Sequence, residues 1–422
     1  MKKILTLAIL HLMIFPFSAN AEKLNLSSCL KAASENNPSL KVVAYNESIA
    51  DDEIGIAGST YLPRVDMQSA YTVQNEAQSI KVGPMGLDMQ EPRYASGSVS
   101  MTQVLYDFGR TDSRKKRAEA LKDAAAFGYK SKEQDLFIKV VESYYGILES
   151  EKVLKAADQE IIQMEQHLKI AKTLYEQGVA TKNDVLQADV QLANSRQRRL
   201  SVVNRHENRW LQMNFLTGSD SGRRGELEED PMRPGKTVSD PADADFSKHS
   251  EIMAMKSMIE ADRRSVEESR AHYKPEVFGR LQADYLQNKE VEEQGILSAS
   301  VGMKVNLFDG YATTSRTSQA LKNLLKHEEA LRELQKRLRL EYQTAVNDSK
   351  VADKRIDAIS RAIAQGEENL RINVNKYKEQ AGTATNVLDA QTLLTNTRTE
   401  YYRALFDKEI ALARIKKATG NL

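Results

Sequence analysis

The chain has a single cysteine, Cys29, in 422 residues, so no internal disulfide is possible and an oxidising compartment is tolerated without one. It has no apolar run of the roughly 18–20 residues that a spanning helix requires, since the longest, Ile4 to Phe17, falls short. If the protein sits in a membrane, helices do not span it. It also lacks an excess of either charge. Its 60 Lys+Arg against 59 Asp+Glu leave +1, which points away from nucleic acid. The local basic runs "RKKR" (Arg114 to Arg117) and "RQRR" (Arg196 to Arg199) read as solvated helix faces. With 20 Gly, 9 Pro and 6% aromatics beside 28% charged residues, the composition leans towards long helices.

Catalytic signatures are missing as well. The six histidines (11, 167, 206, 249, 272 and 327) form no His-x-x-x-His pair, and there is no Walker A, no Gly-x-Ser-x-Gly and no dinucleotide fingerprint. The acidic "DPADAD" has neither EF-hand spacing nor a closing Glu. No enzyme activity, cofactor or metal is expected.

The N-terminus has Lys2-Lys3, the apolar run and then Ala19-Asn20-Ala21. That is the order of a secretory signal over residues 1–21, with a mature chain beginning at Glu22. Cys29 lies eight residues beyond the Ala-Asn-Ala site, in "LSSCLKAASENN", which favours a small buried thiol on a short helix over a lipid anchor.

The plan is written twice. "YEQGVATKNDVLQA" from Tyr175 returns as "YKEQAGTATNVLDA" from Tyr377, 202 residues on, with five of fourteen positions identical. "YLPRV" at Tyr61 returns as "YKPEV" at Tyr273, "LYDFG" at Leu105 as "LFDG" at Leu307, and "LTG" at Leu216 as "ATG" at Ala418. The first of these pairs is offset by 212 and the other two by 202, so the chain is a tandem duplication with residues 22–218 as one copy and 249–422 as the other. Residues 219–248 read as a linker or irregular belt.

Each copy begins with strands. Val277, Gly279, Leu281, Ala283 and Tyr285 alternate with polar neighbours, as do Leu297, Ala299, Val301, Met303, Val305 and Leu307. Val65, Met67, Tyr71 and Val73, then Gly97, Val99, Met101 and Leu105, give a weaker version of the same period. The expected strands are about 64–74 and 96–105, and about 276–287 and 297–307. The hairpin loops would run from Asn75 to Arg93 and from Asn288 to Gln294.

Helix follows, over about 111–216 and about 311–418. Val140, Ile147, Leu154, Ile161, Leu168 and Tyr175 repeat every seven residues beside a mostly small series, Ser143, Ser150, Ala157, Met164 and Ala171. This is a left-handed coiled-coil seam. Ile356, Ile363, Leu370 and Tyr377 keep it in the second copy. Sixty-odd helical residues span about 100 Å. Gly178 interrupts the first helix and "TKND" can start another, so the duplicated stretch is the far turn of a helical hairpin, with Gly178 and Gly382 as the turn glycines.

Amphipathic strands behind a secretion signal suit an outer-membrane barrel, and four of them cannot close alone. A barrel would therefore be shared among protomers, with eight, twelve or sixteen strands in a dimer, trimer or tetramer, the alternative being a small soluble sheet. Leu281, Tyr285, Leu297, Val301 and Val305 would face lipid, with Ser300 and Lys304 on the opposite face.

The order of signal, "NPSL" helix, "YLPRV", hairpin, "LYDFGR", long helix, "YEQGVATKNDVLQA", return helix and "LTG", then all of it again, resembles the TolC family of outer-membrane efflux and type I secretion channels. The resemblance covers nearly the whole mature chain. It implies a mainly α fold with membrane β: a homotrimer with a twelve-strand barrel in outer-membrane lipid and a helical tunnel across the periplasm. The partners it implies are a periplasmic adaptor (membrane fusion protein) and an inner-membrane ABC or RND pump.

At the tip, the family's gate of an Asp, a Tyr and an Arg falls on Asp184, Tyr377 and Gly382, so the Arg is absent here. The family's two acidic entrance rings fall on Asn386 and Asp389, one of which has lost its charge. The absence of a Cys directly after the signal and a C-terminus soon after "ATG" favour the secretion branch over a dedicated multidrug pump. A periplasmic adaptor would carry one helical hairpin, and a structural coiled coil would leave the strands unexplained.

Overall fold

The computed structural model describes residues 23–229, 231, 245–290 and 292–422. The expected signal segment and most of "DPADAD" lie outside the described residues. The first copy contains β1 (Lys23–Leu24), α1 (Leu26–Asn36), α2 (Pro38–Gly58), β2 (Arg64–Val73), β3 (Ser79–Val82), β4 (Met85–Asp88), β5 (Arg93–Tyr106), α3 (Arg110–Glu176) and α4 (Lys182–Thr217). After β6 (Glu226–Leu227) come α5 (Ser250–Ala271), β7 (Glu276–Leu286), β8 (Gly295–Lys304), α6 (Ala312–Lys378) and α7 (Ala384–Ala418). Both long helices, α3 and α6, have 67 residues, or about 100 Å at 1.5 Å per residue. None of the described helices is long and apolar enough to cross a membrane.

The chain divides into two compact units. One contains Pro38–Asp135, Lys236–Val346 and Arg414–Leu422. Its four-stranded sheet has the order β2-β5-β7-β8, antiparallel throughout, so the two hairpins join where β5 meets β7. In four successive rows the registers align residues of like polarity across all four strands. Val65, Met101, Leu281 and Ala299 form one row, and Met67, Val99, Ala283 and Leu297 the next. The intervening rows on the opposite face are Arg64, Thr102, Arg280 and Ser300, then Asp66, Ser100, Gln282 and Ser298. A period of two thus becomes one apolar and one polar sheet face. Met67, Leu297 and Val301 are at least three-quarters exposed, so the apolar face is uncovered.

Three details differ from the sequence expectation. β8 ends at Lys304, leaving Val305 and Leu307 beyond it, because Lys304 pairs with Glu276 and the next residue on the neighbouring side is Pro275, which has no N–H to donate. Between β2 and β5 the loop carries its own hairpin, in which Ile80 pairs with Leu87 across a turn at Gly83 and Pro84. β5 also starts earlier, at Arg93, and its pairing with β7 shifts register between Val104 and Tyr106, leaving Leu105 as a bulge.

The duplicated "LYDFG" and "LFDG" are strand-to-helix junctions. Asp107 Oδ2 accepts the Thr111 backbone N–H at 2.8 Å and its hydroxyl, and Asp309 Oδ2 does the same for Thr313 at 2.9 and 2.6 Å. Each carboxylate satisfies an otherwise unpaired N–H in the first turn of a long helix. The basic run beyond the first junction is neutralised: Arg114 and Arg117 lie 2.9 and 3.2 Å from the buried Glu268.

The second unit contains the N-terminal stretch through Asn37 with Leu136–Gly235 and Asn347–Ala413. Cys29 is buried in α1. Both seven-residue series of α3 contribute to its packed face. Ser143, Ser150, Ala157, Met164 and Ala171 are all buried, and Val140, Ile147 and Leu168 with them, whereas Leu154 and Ile161 are partly exposed and Tyr175 is exposed. Small side chains let neighbouring helix backbones approach closely, so the companion series stays buried along its whole length. The other basic run is again neutralised, Arg196 by Glu165, Arg198 by the buried Glu160 and Arg199 by Asp158. Part of the expected belt is ordered as well, with β6 pairing in parallel with β1 and the Tyr144 hydroxyl 2.6 Å from the Glu228 carbonyl.

Candidate functional site

The duplicated stretches form the two turns between the long helices and their return helices, both in the second unit. At the first, α3 ends at Glu176 and Gly178 has φ +74, with the Val179 and Ala180 N–H groups donating to the Leu174 carbonyl. Such a left-handed residue lets the chain turn back on the last helical carbonyls. At the second, the left-handed residue is Gln380, φ +63, which stands 202 residues from Gly178. Gly382 is therefore not the counterpart of Gly178. A side chain at Gly382 would meet the Lys376 Cβ at 3.1 Å, so glycine is kept there by close packing.

Thr181 caps α4. Its Oγ1 accepts from the Asp184 N–H at 3.3 Å, and Asp184 Oδ2 accepts from the Thr181 N–H at 2.8 Å and its hydroxyl at 2.9 Å, a reciprocal capping box. Thr383 repeats the device for α7, where its Oγ1 accepts from the Asn386 N–H at 3.3 Å. Asn386 is thus the second-copy counterpart of Asp184, 202 residues on.

Tyr377 is buried with Ala384 and Val387 against Ile170, Leu174, Leu370 and Val374. Its hydroxyl has no hydrogen-bond partner. Burial raises its pKa, and the charge of Asp184 raises it further. Asp184 and Tyr377 therefore feel one another, but the hydrogen bond between them is not formed here. The Tyr377 ring lies 5.3 Å from that of His167, whose pKa is lowered by burial and lifted again by Asp184. In the sequence His167 is one of six scattered histidines. The available signal was register: Val153, Glu160 and His167 recur every seven residues along the buried side of α3, and two of the three are polar.

Asn386 and Asp389 are both exposed on α7, three residues apart and so on one side of the helix. No ion pair engages Asp389 among the described residues, although the turn of α4 that holds Asn183 and Gln187 lies beside it. The described residues contain no cluster of His, Cys, Asp or Glu suited to a metal ion.

The comparisons agree with this architecture. The family model described as outer membrane efflux protein matches residues 29–219 and 247–421, one match on each copy. The outer membrane protein TolC of Vibrio cholerae is 22% identical over 418 residues, covering 94% of this chain and 91% of that protein. The alkaline protease secretion protein AprF of Pseudomonas aeruginosa is 22% identical over 412 residues, covering 92% of this chain and 83% of that one. The solved outer-membrane channel OprN shares the fold with a TM-score of 0.82 at 15% identity, covering 94% of this chain and 90% of that one. VceC from Vibrio cholerae does so with a TM-score of 0.79 at 16% identity, covering 94% and 96%. With two strand pairs, two capped helical hairpins and a family match over each copy, this chain belongs to the outer membrane efflux protein family.

Proposed function

We propose that the protein is the outer-membrane exit duct of a tripartite export system, passing secreted protein, small-molecule cargo or both from an inner-membrane pump across the periplasm and outer membrane. One observation carries the reading: a four-stranded sheet with an apolar face, a polar face and two unpaired edges, β2 and β8. Unpaired edges are not tolerated in lipid, so such a sheet must close with copies of itself. Three copies give twelve strands, with the apolar rows towards lipid and the polar rows towards water. An exposed apolar stripe on α2, formed by Val42, Tyr45 and Ile49 at helical spacing, supports burial between protomers.

In this reading the tips are the periplasmic entrance. Asp184 and Tyr377 are its gate pair: the capping box uses Oδ2 of Asp184 and the buried phenol lacks a partner, so a hydrogen bond between Oδ1 and the phenol, not formed in the single chain, would close the entrance. Asn386 and Asp389 become threefold rings at the constriction, of which only Asp389 is charged. A periplasmic adaptor and an ABC or RND pump complete the system and supply its energy, in agreement with a chain that has no nucleotide motif. The relative named as an alkaline protease secretion protein favours protein cargo. The relative named outer membrane efflux protein BepC, from Brucella suis, 20% identical over 414 residues, keeps a dedicated efflux role as the second reading.

Fractionation followed by planar-bilayer recording tests the duct. The expected result is a heat-sensitive trimer in the outer-membrane fraction that conducts. A soluble periplasmic protein without conductance would refute it. Comparing secreted proteins and drug susceptibility in a deletion strain then separates the two cargo readings.

A further inference from the structure

Between α3, α6 and α7, within the second unit, lies a cavity of about 340 Å3. Six buried side-chain polar atoms among the described residues lack a hydrogen-bond partner, and three of them belong to residues that line this cavity: Gln163 Oε1, His167 Nε2 and the Tyr377 hydroxyl. His167 and Tyr377 are 5% and 6% exposed, so solvent does not readily satisfy them. Buried polar groups are almost always paired, and each one left unpaired costs free energy that a bound group can recover. Three such atoms on residues that line one cavity, two from α3 and one from α6, point to a ligand.

The lining also defines the ligand's chemistry. Gln163 Oε1 only accepts, so the ligand must bring an O–H or N–H donor, whereas the Tyr377 hydroxyl can donate or accept. A hydroxyl on the ligand meets both demands. The His167 and Tyr377 rings, tilted by 47°, and the side chains of Ile170, Leu370, Val374 and Leu394 offer aromatic and aliphatic walls. The charged lining is cationic on balance, with Arg371, Lys378 and Arg398 against Glu367. Arg398 is paired with Glu367 at 2.6 Å and Arg371 with Glu368 at 2.7 Å, which leaves Lys378, on the last turn of α6, as the ammonium open to an anion. The volume lies within the range of small-molecule sites, at its lower end.

We propose that this cavity binds a small planar aromatic acid bearing a hydroxyl group, with the hydroxyl between Gln163 and Tyr377 and the carboxylate at Lys378. The ligand would compete with Asp184 for the Tyr377 hydroxyl, and because occupancy is measured without conductance, failure of the site and failure of the duct reading are distinguishable.

The test uses the purified full chain in detergent and the fluorescent probe 6-hydroxy-2-naphthoate, followed by fluorescence anisotropy. Saturable binding is expected, weakened about tenfold by Tyr377→Phe and by Gln163→Leu, each of which removes one hydrogen-bonding group. A comparable loss is expected for Lys378→Gln, and for 2-naphthol in place of the probe. Tyr377→Phe keeps the ring, and a melting curve verifies its fold. Val374→Trp, which fills the cavity, should abolish binding. No saturable binding up to about 1 mM, where binding energy is only about 4 kcal/mol, would overturn the proposal. So would binding that survives Val374→Trp, or that is equal in the Tyr377→Phe, Gln163→Leu and parent chains.

Discussion

The His249 imidazole bridges two helices: its Nδ1 accepts the Glu251 N–H at 3.3 Å, starting α5, and its Nε2 lies 3.2 Å from the Lys417 carbonyl at the end of α7. In the first copy Asn37, 212 residues earlier, donates its side-chain amide to the Leu216 carbonyl at 2.8 Å, near the end of α4. Both residues are buried. The two copies thus fasten the C-terminus of each return helix to the start of a preceding helix, once with an amide and once with a ring that titrates.

That difference gives a pH dependence. Accepting at Nδ1 while donating from Nε2 requires the neutral ring. Burial lowers the His249 pKa from 6.5, with Glu251 opposing. As pH falls through about 6.5 the unfolded chain takes up the proton first, so the stability from this group is present above that pH and is lost below it. Thermal melts at pH 7.5 and 5.5 should show a smaller acid loss in His249→Asn than in the parent. At pH 7.5 the variant should stay within about 1 kcal/mol of the parent, because Asn can cap and donate in the same place.

Turn geometry predicts opposite outcomes at equivalent positions. Gly178→Ala should destabilise by about 1–2 kcal/mol, the cost of a side chain in the left-handed region. Gln380→Gly relieves the same cost and gives back about 0.4–1 kcal/mol through a more flexible unfolded chain, for a net gain of roughly 0.5–1 kcal/mol. Denaturant midpoints measure both, and equal losses in the two variants would contradict the assigned turns.

On the sheet, Val301 lies on the same face as Leu297 and Ala299, and Ser300 stands in a polar row on the other face. Val301→Arg should cost about 2–4 kcal/mol near a bilayer midplane and impair assembly, with Ser300→Arg mild. Heat-modifiability of outer-membrane fractions distinguishes them. Normal assembly of Val301→Arg would reverse the orientation of the faces.

Selectivity should depend on α7. In the proposed trimer three Asp389 carboxylates would meet at the constriction and favour cations, so selectivity should follow the charge at this position. Asn386→Asp is expected to increase cation selectivity and Asp389→Asn largely to remove it. Reversal potentials under a salt gradient provide the measurement, and undiminished selectivity in Asp389→Asn would move the ring elsewhere.

The tip contact separates from the helix cap. Thr181→Ala should lower stability by about 1 kcal/mol through loss of the cap alone. Tyr377→Phe should raise the open probability of single channels while leaving that cap intact. A closed state unchanged in Tyr377→Phe would exclude the gate.

Sequence by itself determined the repeat, the change of period from two to seven, and the lack of an apolar run of the length a spanning helix requires, because these reside in residue order and hydrophobic spacing. It also placed Asp184, Tyr377, Asn386 and Asp389 at the helical tips, through the duplicated stretch. Only tertiary structure decided how far each series is buried, since a spacing of seven is shared by the large series, buried at Val140, Ile147 and Leu168 but exposed at Tyr175, and the companion series from Ser143, buried throughout. Tertiary structure also joined the hairpins through β5 and β7, a pairing between residues nearly two hundred positions apart that no local pattern encodes. The cavity beside His167 and Tyr377 arises in the same way, because its walls come from three helices and burial of a polar atom is a property of what surrounds it.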